Sequence, residues 1–417
     1  MFKKISVAQL LITLAAAAPL LPAPALAAPD TASSLSITSV TRLGPSDPGG
    51  ADIFGSNVAI QGNVAVVGAA DADDFQGAAY VFERVKGVWV ERAKLVADDR
   101  TPFSFSEFGE NTKLFGKTIA IGAPGDQDGI GAVYIYQQTG DVWIQQAKLT
   151  ANDGTVGSFF ADSIALSDDL LVSGADVAPV GADDAGAAYL FRRSGTTWTQ
   201  EAKLIASNQT NGAGFGSGTA IDSKDSVVIG AAAASSSGLV YFFKRVNGAW
   251  LEQSRLAPSS PEPGQAFGIN IDASGNLLVV GAYGAVGIDG FPTGAAYVYR
   301  RSGAAWKEEA RLVPSETQVR FFGVRVGISD ETIVAGAPFT DTFENLEGGS
   351  AWVFQRSGKT WEMQAKLQAP DGTPRDNFGG YAAIDGMTIL IGAELADSSP
   401  TVSDDEGAAY VFDLAGK

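Results

Sequence analysis

An all-β chain folded as a seven-bladed β-propeller, four antiparallel strands to a blade, is what this sequence predicts. Three features carry the prediction: a four-part motif recurring seven times, apolar alternation within each part, and one part displaced from the C-terminal to the N-terminal end. The 417 residues include 50 glycines spread along the whole chain and no long amphipathic helical pattern, which points to many short strands joined by turns.

The first part of the motif is an F-G pair, beginning at Phe54, Phe108, Phe160 (where Ala161 replaces Gly), Phe215, Phe267, Phe322 and Phe378. The second ends in G-A, at Gly68, Gly122, Gly174, Gly230, Gly281, Gly336 and Gly392. The third is a G-A-A-Y-V-F element whose aromatic falls at Tyr80, Tyr134, Tyr189, Tyr241, Tyr297, Trp352 and Tyr410. The fourth reads W-x-x-x-A-K-L and closes at Leu43, Leu95, Leu149, Leu204, Leu256, Leu312 and Leu367, a period of 54 residues. Apolar and polar residues alternate within the elements, as in half-buried strands. A period near 50 suits a four-stranded propeller blade and is too long for leucine-rich or ankyrin repeats.

The ends of the chain predict how the ring closes. The last unit stops at Tyr410-Val411-Phe412 without its fourth element, while an unpaired Val40-Thr41-Arg42-Leu43 precedes the first F-G pair. A strand from about Leu35 is therefore expected to complete the last blade, leaving no inner strand as an open edge.

Before that strand, Lys3 and Lys4, an apolar run from Val7 to Leu21 and Ala25-Leu26-Ala27 read as a signal peptide over residues 1–27, cleaved near Ala27. The expected product is one propeller domain over 28–417, secreted, periplasmic or at the cell surface, with no transmembrane segment. With no cysteine, stability must come from packing and hydrogen bonds. With no histidine either, Ser-His-Asp, Cys-His and His-ligated metal mechanisms are unavailable, leaving a carboxylate pair acting on glycans as the one enzymatic alternative.

In an antiparallel blade the connections between second and third strands share one face of the disc with the inter-blade loops. Together they hold 27 acidic residues against 3 basic ones, so this face is expected to be strongly acidic, to attract cations or a basic partner and to repel nucleic acid. The basic residue before each closing leucine (Arg42, Lys94, Lys148, Lys203, Arg255, Arg311, Lys366) is expected on the exposed side of an edge strand, discouraging aggregation. The six tryptophans opening the fourth elements (Trp89, Trp143, Trp198, Trp250, Trp306 and Trp361) are read as packing between blades in preference to a sugar-stacking ring.

The F-G pairs, Gly122-Ala123-Pro124, Gly336-Ala337-Pro338 and the recurrent G-A-A-Y-V-F resemble the FG-GAP repeats of the integrin α-subunit head and of bacterial secreted proteins, over about residues 35 to 413. The resemblance implies a binding scaffold, here an adhesion or interaction module for an extracellular protein or glycan, with a calcium-stabilised, lectin-like propeller as the rival. FG-GAP proteins often hold Ca²⁺ in a D-x-D-x-D-G loop between the first two strands. The turns at Gln61-Gly62-Asn63, Ser167-Asp168-Asp169 and Asp385-Gly386-Met387 lack that pattern. The carboxylates offered for Ca²⁺ instead are Asp71, Asp73, Asp74, Asp126, Asp128, Asp404, Asp405 and Glu406, in the second-to-third connections, completed by backbone carbonyls and water.

Overall fold

A computed structural model of the chain describes residues 35–101, 105–181, 184–288, 290–303, 305–317, 319–342, 345–397 and 405–416. The expected signal peptide lies outside them. In blade 1, Phe54–Gln61, Val64–Ala69, Ala78–Val85 and Val88–Leu95 pair in sequence order as an antiparallel sheet, with Phe54–Gln61 innermost. The same order recurs in five further blades over residues 111–149, 163–204, 215–256, 271–312 and 326–367. The inner strands contact one another in turn around a closed ring.

The seventh blade contains Tyr381–Asp385, Thr388–Ala393 and Ala408–Gly416, and its outermost strand is Leu35–Leu43. Leu43 pairs with Ala409 and Leu35 with Gly416, so the N-terminal strand closes the ring as the displaced motif predicts.

Each strand's burial follows from its place in the blade. Second strands have a sheet neighbour on both sides and a blade on both faces, and Val64–Ala69 is buried at every position after the first. Fourth strands form the rim and alternate: Val88 and Val90 are exposed around a buried Trp89. The spacing of W-x-x-x-A-K-L contains one residue too many for a regular ladder. In six blades it is absorbed as a β-bulge at the same place, between Val81 and Phe82 in blade 1.

The F-G pair forms a β-turn: the Ser56 amide donates to the Ile53 carbonyl (3.0 Å), and Gly55 sits at φ 100°. A turn with positive φ at its third residue calls for glycine. The phenylalanine enters its own blade, where Phe267 meets Tyr297 and Tyr299 edge-on at 5.3 and 6.2 Å and is fully buried.

The seams between blades explain the other glycines. The Phe267 amide donates to the Ser237 carbonyl of the preceding blade (2.9 Å), and the same bond recurs at Phe54, Phe160, Phe215, Phe322 and Phe378. A Cβ on Gly68 would stand 2.0 Å from the Gly109 carbonyl of the next blade, so only glycine permits this approach. The tryptophans pack structurally: Trp306 stacks on Phe242 of the neighbouring blade (5.7 Å, 23°), and Arg84 and Arg301 cover Trp89 and Trp306. No helix among the described residues is long and apolar enough to cross a membrane.

Candidate functional site

The second-to-third connections and the inter-blade loops meet on one face, as expected, and are bonded together. The Gly125 amide donates to the Ser106 carbonyl, Phe159 to Gly129, Gly264 to Ser236 and Gly284 to Gln265, at 2.8 to 3.2 Å. Loops from adjacent blades therefore form a continuous collar around the axial channel. At its inner rim stands the residue before each F-G phenylalanine, left-handed in all seven blades: Ile53, Glu107, Phe159, Gly214, Ala266, Phe321 and Asn377, at φ 49° to 68°. Six are not glycine, so the rim is held in a conformation that its side chains disfavour and the turn bond enforces.

The basic residues before the closing leucines are not simply guards of an exposed edge, and that expectation is corrected here. In blade 1, Lys94 bridges Asp47 of the incoming loop (2.8 Å) and Asp73 (2.9 Å), and the Tyr80 hydroxyl donates to Asp47 (2.9 Å). In blade 2, Lys148 bridges Asp99 and Asp126, each at 2.7 Å, and Tyr134 donates to Asp99. Lys203 pairs with Asp153, Lys366 with Glu316 and Arg42 with Asp371. The cause is register: the third-strand tyrosine and fourth-strand base are directly opposed, as Tyr80 is to Lys94, and together clamp the loop entering their blade.

These clamps reduce the one-sided acidity that the sequence suggests, because their bases reach into the collar. Burial alone would raise the carboxyls of Asp47, Asp99 and Asp153; the ammonium and phenol beside each outweigh it and hold all three below the usual range. The loop acid was legible as the fourth residue after five of the seven closing leucines (Asp47, Asp99, Asp153, Glu316, Asp371), a spacing that stacking on the F-G pairs did not bring out.

The carboxylates offered for calcium are placed as follows. Asp73, Asp74 and Phe75 are consecutive left-handed residues, as are Gln127, Asp128 and Gly129. The Asp73 carboxylate is taken by Lys94 and Arg100 (2.9 Å each), and that of Asp126 by Lys148. Asp74, Asp128 and Asp405 are exposed, and Asp71 and Glu406 half-buried. Asp404 lies outside the described residues. Among the described residues no three acidic side chains are gathered as a metal site.

Periodicity also did not reveal two aromatic patches on the collar. Phe75 and Phe105 touch across the seam of blades 1 and 2 (5.3 Å) and are 39% and 44% exposed. Across the seam of blades 5 and 6, Phe321 contacts Tyr283 and Phe339 at 5.5 and 5.4 Å, and Arg320 covers the exposed Phe291. A small extra sheet supports this second patch, in which Phe339–Thr342 pairs with both Val319–Arg320 and Asn345–Glu347. Its source is the long connection between second and third strands in blade 6. Asp376 and Glu394 are deeply buried on this side, and Glu394, 4% exposed, has its pKa raised to about 7 by burial, against the Asn377 amide (3.4 Å) and Arg325.

Seven segments of the chain match the model of the FG-GAP repeat: residues 37–82, 89–136, 143–191, 198–243, 250–299, 306–354 and 361–412. No curated protein matches the chain significantly.

Proposed function

From the premise that the chain belongs to the FG-GAP repeat family, we propose that it is a secreted or cell-surface interaction module that binds an extracellular protein or glycan through the loop collar. The FG-GAP propeller is a protein-interaction scaffold, and the reading finer than that rests on one observation. Rings interrupt the acidic collar at two blade seams, exposed at Phe75 and Phe105 and half-buried at Tyr283, Phe321 and Phe339 beside the exposed Phe291, on loops locked to the framework by hydrogen bonds and ion pairs. Solvent-facing aromatic clusters rimmed by charge are typical of recognition surfaces, where rigid rings supply contact area at small entropic cost. The N-terminal basic and apolar run supports export. Binding without turnover is favoured by the lack of histidine and cysteine.

The test is retention of the purified propeller on a glycan array and on an extract of cell-surface proteins. Phe75→Ala with Phe105→Ala, and separately Phe321→Ala, should abolish retention. Lys244→Ala, on the opposite rim of the disc, should not. Retention indifferent to all collar substitutions would refute the reading.

A further inference from the structure

We propose that the axial channel is itself a binding site, for a small dipolar solute carrying an ammonium and a carboxylate at opposite ends, held between Lys113 and Asp272. The channel is lined by inner strands of all seven blades and encloses about 170 Å³. That compares with the ~150 Å³ cavity that accommodates benzene, so a solute of about six to eight heavy atoms fits. The proposal is independent of the collar and of any partner bound there.

The fifth residue after the F-G phenylalanine lines the channel in five blades, as Ala59, Lys113, Asp272, Gly327 and Ala383. In the remaining two blades it is Ala165 and Ala220, packed between blades. The two exceptions to a small residue are Lys113 in blade 2 and Asp272 in blade 5, opposite in charge and on non-adjacent blades. Both line the channel, and each feels the other's charge.

They do not satisfy one another. Lys113 makes no hydrogen bond or ion pair to any described residue, although its ammonium has three donors. Asp272 is held in place by backbone amides, Ile328 to Oδ2 (2.8 Å) and Ala273 to Oδ1 (2.9 Å), and keeps further acceptor capacity towards the channel. Enclosure by protein lowers the Lys113 ammonium and raises the Asp272 carboxyl, each partly countered by the other. Arg325 and Asp162 line the same passage, and Arg325 acts with burial to lower the Lys113 ammonium. The opposed pair of Lys113, without a hydrogen-bonded partner, and Asp272, fixed by backbone amides, complements a solute with the reverse pair of charges. Its carboxylate would meet Lys113, and its ammonium Asp272.

Calorimetric titration of the whole protein with 4-aminobutanoate and 5-aminopentanoate tests this, with pentanoate and pentylamine as singly charged controls. The aminoalkanoates should bind, and the controls at least tenfold more weakly. Lys113→Met and Asp272→Asn should each weaken aminoalkanoate binding at least tenfold with the melting temperature retained. The charge-exchanged Lys113→Asp with Asp272→Lys should restore part of it by reversing the solute. No aminoalkanoate binding at millimolar concentration, or binding unchanged in folded Lys113→Met, would overturn the proposal, as would controls that bind equally well.

Discussion

Glu394→Gln should stabilise the propeller at pH 8 and leave it nearly unchanged at pH 4.5. Glu394 is buried where the second strand of blade 7 ends, and its pKa is raised from 4.5 to about 7, first by burial. Between these two values the native state holds a proton that the unfolded chain has released, so stability falls as pH rises through this window and levels off above about 7. At 1.36 kcal/mol per pK unit, the full difference is on the order of 3 kcal/mol. Glutamine is neutral at every pH, keeps an acceptor for the Asn377 amide and so behaves as the protonated glutamate. For a domain of about 380 residues with ~2.1 cal/mol/K of unfolding entropy per residue, ~3 kcal/mol raises the melting temperature by about 4 °C. Calorimetry of both proteins from pH 4.5 to 8 isolates the effect, since the other titrating groups cancel in the difference. A difference independent of pH, or a variant less stable at pH 8, would refute the placement of this carboxyl.

Ala161 occupies the F-G glycine position at φ 81°, and the seam has opened around it: a Cβ on Gly122 would stand 3.0 Å from the Ala161 carbonyl, against 1.9 to 2.2 Å at the equivalent glycines of the other seams. Ala161→Gly should therefore stabilise by about 0.5 to 1 kcal/mol, and Gly216→Ala should destabilise by more than that, both read by urea unfolding; equal signs would contradict the turn. Phe267→Ala should cost about 3 to 5 kcal/mol as a core cavity, and a loss below about 0.5 would show that the ring is not packed as described. Removing Leu35–Leu43 bares the edge of Ala408–Gly416, so a lower melting temperature and new oligomers are expected by size-exclusion chromatography; an unchanged monomer would deny closure by this strand. We propose that calcium at Asp126 and Asp128 competes with Lys148, so Ca²⁺ should raise the melting temperature of Lys148→Met more than that of the wild type; equal shifts from Ca²⁺, Mg²⁺ and NaCl of matched ionic strength would leave only screening.

What the sequence made legible is whatever repeats. The F-G pair is readable because a turn with positive φ excludes most residues, and the G-A and G-A-A-Y glycines because a Cβ would strike the backbone of the next blade. Ring closure was readable because the strand left over at one end has the pattern missing at the other. The collar was only half legible. Its acids could be counted, but which of them are neutralised depends on the opposed pairing of strands three and four, which brings Lys94 beneath Asp47 of a loop 47 residues earlier. The aromatic contacts Phe75 to Phe105 and Tyr283 to Phe321 join loops of different blades at positions where no period holds. The opposed Lys113 and Asp272 were equally hidden, since each is a single departure from a small-residue position.

The clamps also indicate where the collar is free to vary. Blades 1, 2, 3 and 7 hold the incoming loop with an aspartate, a base and a tyrosine. Blade 4 substitutes Asn208, to which the Tyr241 hydroxyl donates (2.9 Å), and in blade 5 Tyr297 is met by Gln265 and Arg311 without a loop acid. Blades 4 and 5 thus lack the ion pair to a loop acid, while blade 6 keeps it as Lys366–Glu316, beside the connection that adds a sheet where Tyr283, Phe321 and Phe339 gather. Blade packing in that sector is intact, because the Phe267 and Phe322 amides still bond across their seams at 2.9 Å. Loop chemistry and framework chemistry are therefore separable: the seams are built from backbone bonds, glycines and buried apolar packing that recur in every blade, whereas the collar is built from side chains that differ blade by blade. If the collar binds as proposed, such a surface can change its partner by loop substitution at little cost to the ring, so the seam of blades 5 and 6, with the blade 5 clamp altered and Phe291 exposed beside half-buried rings, is where specificity should reside.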